Sequence, residues 1–192
     1  MEIIGVLLVA AAAFGVCYLF DKGFVAMFRN KVQHRSGLAV RANKRYAVVG
    51  LILAVLGVAA LIHGVQESAA LLIGGVIVLL IGGGLILYYL SFGVFYDDDM
   101  MLLARLGHKD SVWRFGEIQG QKLYLIQGGS VIVELHMADG KAVGIQTGNM
   151  EGAYPFLDHA FAAWCRQKGI EPESCEFHDP ANCLWFPNVE EI

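Results

Sequence analysis

Between Ala69 and Leu90 (AALLIGGVIVLLIGGGLILYYL) the chain has no Asp, Glu, Lys, Arg or His. A surface helix of a soluble protein needs a polar face, so that lack excludes one here. At about 1.5 Å per residue these 22 residues cover ~33 Å, enough to cross a hydrocarbon core of ~30 Å. Charge is scarce elsewhere too. Only 17% of the residues are charged against 56% hydrophobic, and the mean hydropathy is positive, which favours a membrane protein over a soluble one.

Other absences narrow the function. Ile3 to Phe20 lacks a basic residue before it, Glu2 standing there instead, and runs into Asp21 and Lys22. That is the wrong polarity for a cleaved signal peptide, so a retained span is expected. The bulky Val16 before Cys17 is unlike a lipoprotein processing site. No nucleophile elbow, phosphate loop, metalloprotease helix or nucleotide fingerprint is present, so no enzymatic activity and no cofactor are expected. No ionisable residue lies at mid-depth of any predicted span, which removes the usual markers of an ion path. A transporter or channel would then need several copies around one pore, and this is the alternative reading.

What is present divides the chain in three. Residues 1–91 read as a membrane domain with spans at about 3–20, 46–62 and 69–90, residues 92–169 as a soluble domain, and residues 170–192 as a tail. Lys22, Arg29, Lys31, Arg35, Arg41, Lys44 and Arg45 crowd the loop 21–45 against one acid, Asp21, whereas the turn from Ile62 to Ala69 offers only Glu67 and no Lys or Arg. Positive loops stay on the cytoplasmic side, so the predicted topology in the cell membrane puts the amino terminus outside and the soluble domain in the cytoplasm. The seven basic residues are the expected membrane-surface contacts. Gly50 and Ala54, Ala60 and Gly64, and the glycines from Gly74 to Gly84 suit close helix packing within the chain or between copies. His63 and Glu67, four apart, would share a face if the helix continued through the turn, but two ligands make a poor metal site.

After Leu90 the apolar residues alternate, as in strands with one buried face. Strands are predicted at Phe92–Tyr96, Met100–Leu106, Ser111–Phe115, Gln121–Ile126, around Val131–Met137 and at Ala142–Thr147. Gly128 with Gly129 and Asp139 with Gly140 supply the tight turns. A closing amphipathic helix carries Pro155 and Asp158 near its start, Arg166 and Lys168 in its last turn, and Gly169 as its stop. Phe156, Leu157, Ala160, Phe161 and Trp164 form its apolar stripe. In the tail, Cys175, His178 and Cys183, with Cys165 before them, are weak zinc candidates, because no Cys-x2-Cys pair is present. Leu184, Trp185 and Phe186 between Pro180 and Pro187 read as a plug that docks on the domain or on a partner.

Antiparallel hairpins followed by one carboxy-terminal helix resemble the pleckstrin-homology-like (PH-like) fold, in particular small bacterial PH-like domains tethered to membrane helices. The likeness rests on Val112 to Gly120 (VWRFGEIQG), the hairpin Val131 to Ile145 around Asp139 and Gly140, and the helix with Phe161 and Trp164. It covers roughly Phe92 to Lys168. It implies an α+β membrane protein: three transmembrane helices, then a cytoplasmic antiparallel β-barrel or sandwich capped by an amphipathic helix. It also implies a binding or assembly role, with a protein partner or a second copy of the chain, lipids around three spans and no nucleic acid. Lipid-binding members of the wider fold carry Lys and Arg between their first two strands, where this chain has Asp97, Asp98 and Asp99. From Phe92 onward seven basic residues face fifteen acidic ones, a formal charge of −8. A lipid-reading role would need a concentrated basic pocket, and the linear sequence displays none.

Overall fold

The computed structural model describes residues 38–126 and 129–189. The predicted span 3–20 and the basic residues Lys22, Arg29, Lys31 and Arg35 lie outside the described residues. The described chain forms two compact units, residues 42–91 and residues 38–41 together with 92–189.

The first unit is a pair of helices, α1 (Lys44–Glu67) and α2 (Ala69–Leu90). Asn43 caps α1, its Oδ1 accepting from the Arg45 N–H at 2.9 Å, which satisfies one of the free donors of the first turn. Ser68 alone separates the helices, in extended conformation, with its N–H donating to the Gly64 carbonyl. The pair is antiparallel and close because glycines face backbone. A Cβ on Gly82 would lie 2.6 Å from the Ala54 nitrogen and the Gly50 oxygen, and one on Gly57 would lie 2.7 Å from the Leu79 nitrogen. Apolar side chains such as Leu80 and Val55 cover the outside. Both helices are long and apolar enough to cross a membrane. α1 is longer than the predicted 46–62 span and continues through His63 to Glu67.

The second unit begins before the helices. Residues 38–42, which the sequence places at the end of a basic loop, form strand β1 (Leu38–Ala42). It pairs antiparallel with β2 (Phe92–Tyr96), with Leu38 opposite Tyr96 and Arg41 opposite Gly93. The helix pair is therefore inserted between two neighbouring strands of one sheet. β3 (Met100–Arg105), β4 (Ser111–Arg114) and the two-residue β8 (Met150–Glu151) complete that sheet in the order β4-β3-β2-β1-β8. A second antiparallel sheet has the order β5-β6-β7, from β5 (Ile118–Leu125), β6 (Val131–Met137) and β7 (Ala142–Gln146). The strands thus divide between two sheets.

One core joins both sheets to α3 (Ala153–Lys168). Alternation builds it: Val133, Leu135 and Met137 on β6 and Val143 and Ile145 on β7 are buried, their neighbours only partly so. From the first sheet come Val40, Val94, Met101 and Trp113, and from α3 come Phe156, Leu157, Ala160, Phe161 and Trp164. Gly169 ends α3 in the left-handed conformation at φ 67°. The plug docks at home: Trp185 and Phe186 are wholly buried in this core.

Candidate functional site

Two hairpin turns from different sheets meet beside Trp113. The turn leaving β3 carries Arg105, His108 and Lys109, reversing at Gly107 with φ +78°. The turn entering β7 carries Asp139, Gly140 at φ +79° and Lys141. Between them lies an open cleft of about 310 Å³, lined by Arg105, His108, Lys109, Ser111, Trp113 and Lys141. Lys141 Nζ stands 5.6 Å from the centroid of the Trp113 ring and 3.2 Å from Asp139 Oδ2. Asp139 also accepts from Trp113 Nε1 at 3.0 Å. That hydrogen bond, with those from Lys141, holds the Asp139 carboxyl below its usual pKa. Arg105 stands opposite Phe92 across the β2–β3 pair, its guanidinium carbon 5.9 Å from that ring's centroid.

The cleft is a feature that the linear sequence does not display. Three of the seven Lys and Arg after Phe92 line one cleft. Lys141 is remote from Arg105 and Lys109 in the chain, and only the meeting of the two sheets brings them together. The available signal was a basic residue beside each of two glycine turns.

A second cleft, of about 500 Å³, involves Asp99, Arg114, Glu117, Gln167 and Lys168. Its polar groups are largely spent on structure. Gln167 Nε2 donates to the Asp99 carbonyl at 2.8 Å, Gly116 N–H donates to Gln167 Oε1 at 2.7 Å, and Arg114 N–H donates to Glu117 Oε2 at 2.9 Å. The acidic turn between β2 and β3 is fixed in the same way. Asp97 Oδ1 accepts from the Asp99 and Met100 N–H groups, and Arg166 Nη2 donates to the Asp98 carbonyl at 2.6 Å. His159 Nε2 lies 2.9 Å from the Asp97 carbonyl.

The zinc candidates are dispersed. Cys165 and Cys175 lie side by side and are buried, and burial pushes the Cys165 thiol up to about 11, with Cys175 adding to the shift. His178 stacks on Phe161 with ring centroids 3.8 Å apart. Cys183 Sγ lies 4.0 Å from the Tyr154 hydroxyl. Among the described residues no three His, Cys, Asp or Glu side chains are grouped to hold a metal ion. His63 and Glu67 both lie on α1. Of the described membrane-surface candidates, Lys44 and Arg45 are exposed on the first turn of α1, and Arg41 lies on β1.

No protein-family model, curated protein or solved structure matches this chain.

The tail clamp is a feature that the sequence does not announce. Gln121 is the one buried polar side chain among the described residues, and its Oε1 accepts from the Trp185 and Phe186 N–H groups while its Nε2 donates to the Cys183 carbonyl. Gln121 looks in the sequence like any polar strand residue.

Proposed function

We propose that this chain is a multi-pass membrane protein without enzymatic activity, whose PH-like domain lies on the cytoplasmic side and binds a protein partner or a second copy of the chain. The observation that carries this reading is the insertion of α1 and α2 between β1 and β2. Both ends of the helix pair are thus continuous in the chain with neighbouring strands of one sheet. The sheet orders β4-β3-β2-β1 and β5-β6-β7, followed by α3, support the PH-like assignment. A first span over residues 3–20 and the cytoplasmic side for residues 21–45 belong to the same proposal, on the basic residues counted above.

The binding surface is assigned to the end of the domain opposite the helix junction. β2 starts at Phe92, beside that junction, and ends at the turn Asp97–Asp99, where Asp98 and Asp99 are exposed and the backbone is held by Arg166 and Gln167. A rigid acidic tip on an acidic domain suits a partner with a basic docking surface. A photo-crosslinking residue at Asp98 of the full-length protein in cells should capture one defined protein or a second copy, and an added Asp99→Lys should abolish the adduct. Adducts that survive Asp99→Lys unchanged overturn the assignment. For the topology, a cysteine at Ser68 in a background without native cysteines should react with an impermeant thiol reagent in intact cells. A cysteine at Gly140 should not react, and labelling there would reverse the orientation.

A further inference from the structure

A sheet with one face in water alternates between buried and exposed residues, and the second sheet does so. β6 and β7 bury Val133, Leu135, Met137, Val143 and Ile145 and leave the residues between them only partly covered. β2 and β3 do not alternate. Every residue from Gly93 to Tyr96 and from Met101 to Ala104 is buried, so both faces of the middle of the first sheet are covered. One face is the domain core, reached by Val94, Tyr96, Met101 and Leu103. The other carries Phe95, Leu102 and Ala104, which are 4%, 5% and 1% exposed. Among the described residues, these three belong neither to that core nor to the small cluster of Ala42, Ala47 and Tyr89.

We propose that this second face is a docking surface for the chain's own segment Phe24 to Val32, which lies outside the described residues. The proposal holds for either side of the membrane, because no predicted span separates that segment from β1.

The footprint of the cover has the width of one helix. Ladder pairing sets Ala39, Phe95, Leu102 and Val112 in one row across β1 to β4. Phe95 and Leu102 are buried, Ala39 is half-buried, and Val112 is 50% exposed. The covered band is thus two strands wide, about 10 Å, against a helix diameter of about 10–12 Å. This burial is that of a single chain, so a second copy is not its source. α3 and the tail residues Trp185 and Phe186 are committed to the core on the opposite face.

The segment has the matching chemistry and a short tether. Phe24, Met27, Phe28 and Val32 recur at the spacing of one helix face, and Lys22 and Arg29 fall on the opposite side. Only Gln33 to Gly37 separate Val32 from Leu38, which opposes Tyr96 in this sheet. Fully extended, that tether reaches about 20 Å, enough to cross the buried band and too little to leave the sheet's neighbourhood. Docked in this way the segment is a third layer on the domain, and its phenylalanines are withheld from the headgroup layer.

The test uses the full-length protein without native cysteines, in membranes and in detergent. Leu102→Cys should resist a maleimide in both. Phe24→Gln with Phe28→Gln should raise its labelling rate about tenfold or more, as when a local protecting contact is lost. Val94→Cys, on the core face of β2, should stay protected in that variant and so report an intact domain. Should Val94→Cys react as well, oxidative cross-linking decides. With Leu102→Cys, one of Phe24→Cys, Met27→Cys or Phe28→Cys should close a disulfide within one chain, whereas Leu125→Cys, at an 86% exposed position, should not replace Leu102→Cys as a partner. An unchanged labelling rate at Leu102→Cys in an intact domain overturns the proposal, as does failure of all three pairs to close. A disulfide between two chains assigns the surface to a second copy, and protection that is present in membranes but lost in detergent assigns it to lipid; either result refutes the segment as its occupant.

Discussion

Gln121 and Trp185 are joined by a buried hydrogen bond of 2.9 Å, from the Trp185 N–H to the Gln121 side-chain oxygen, that ties the tail to the second sheet. The same oxygen accepts from Phe186 at 3.0 Å, and the Gln121 N–H donates to the Pro187 carbonyl at 2.8 Å. Trp185 Nε1 finds Asp158 Oδ1 on α3 at 2.7 Å. Gln121→Leu keeps the volume but leaves two buried N–H donors and one carbonyl unpaired, each costing about 1–3 kcal/mol. Release of the tail limits the total, so a loss of about 3 kcal/mol is expected. A fall in thermal midpoint, with new protease cleavage between Asn182 and Asn188, is the measurement.

Gly82 and Gly83 are neighbours on α2 with opposite surroundings. A Cβ at Gly82 would press on α1 backbone at 2.6 Å, whereas one at Gly83 meets nothing within 4 Å among the described residues. Gly82→Ala should destabilise the helix pair by about 1–3 kcal/mol through overpacking. Gly83→Ala should be neutral or slightly stabilising, since alanine favours helix. Thermal unfolding of the two variants in the same detergent gives the comparison, and equal midpoints would contradict the observed interface.

Acid should loosen the tail through His178. Its ring stacks on Phe161, its Nε2 is buried without a hydrogen-bond partner among the described residues, and burial lowers its pKa despite the opposing pull of Asp158 and Asp179. A group with a lowered folded pKa contributes stability that is complete above its unfolded value, about 6.5, and is lost as pH falls through the folded value. Thermal midpoints recorded from pH 7 to pH 5 should therefore decline, and His178→Phe should flatten the decline. An identical slope in the variant would remove His178 as its cause.

The cysteines of the soluble domain should behave as core residues. With Cys165, Cys175 and Cys183 buried and the Cys165 thiol raised to about 11, thiol reagents at pH 7.5 should modify them only after denaturation. A chelator should leave the thermal midpoint unchanged, because the candidate ligands are not grouped. A drop of several degrees on chelation would restore a metal site in the tail.

Elements that satisfy their own patterns were legible in the sequence. α2 spans the predicted Ala69–Leu90, and β2, β6 and α3 stand within two residues of their expected limits. β1 was illegible because its reason lies elsewhere in the chain. Leu38–Ala42 is short and sits among basic residues, and its ladder partner is the strand beyond both helices. β8 has two residues and no periodicity to read. The basic cleft was hidden for a related cause. Each turn shows only its own cations, and their convergence depends on how two sheets meet around Trp113. The clamp at Gln121 depends likewise on a tail 62 to 65 residues away.

The placement of β1 ahead of α1 imposes an order on biosynthesis. When the ribosome releases β1, the strands on either side of it in the sheet do not yet exist, and at about 5–20 residues per second the wait for β2 lasts roughly 2–10 seconds. During that interval α1 and α2 emerge. Only a hairpin that returns the chain to its starting point brings β2 back beside β1, with Gly93 opposite Arg41. Completion of the sheet thus depends on closure of the helix pair, and a chain whose helices fail to pair is left with a domain missing an inner strand.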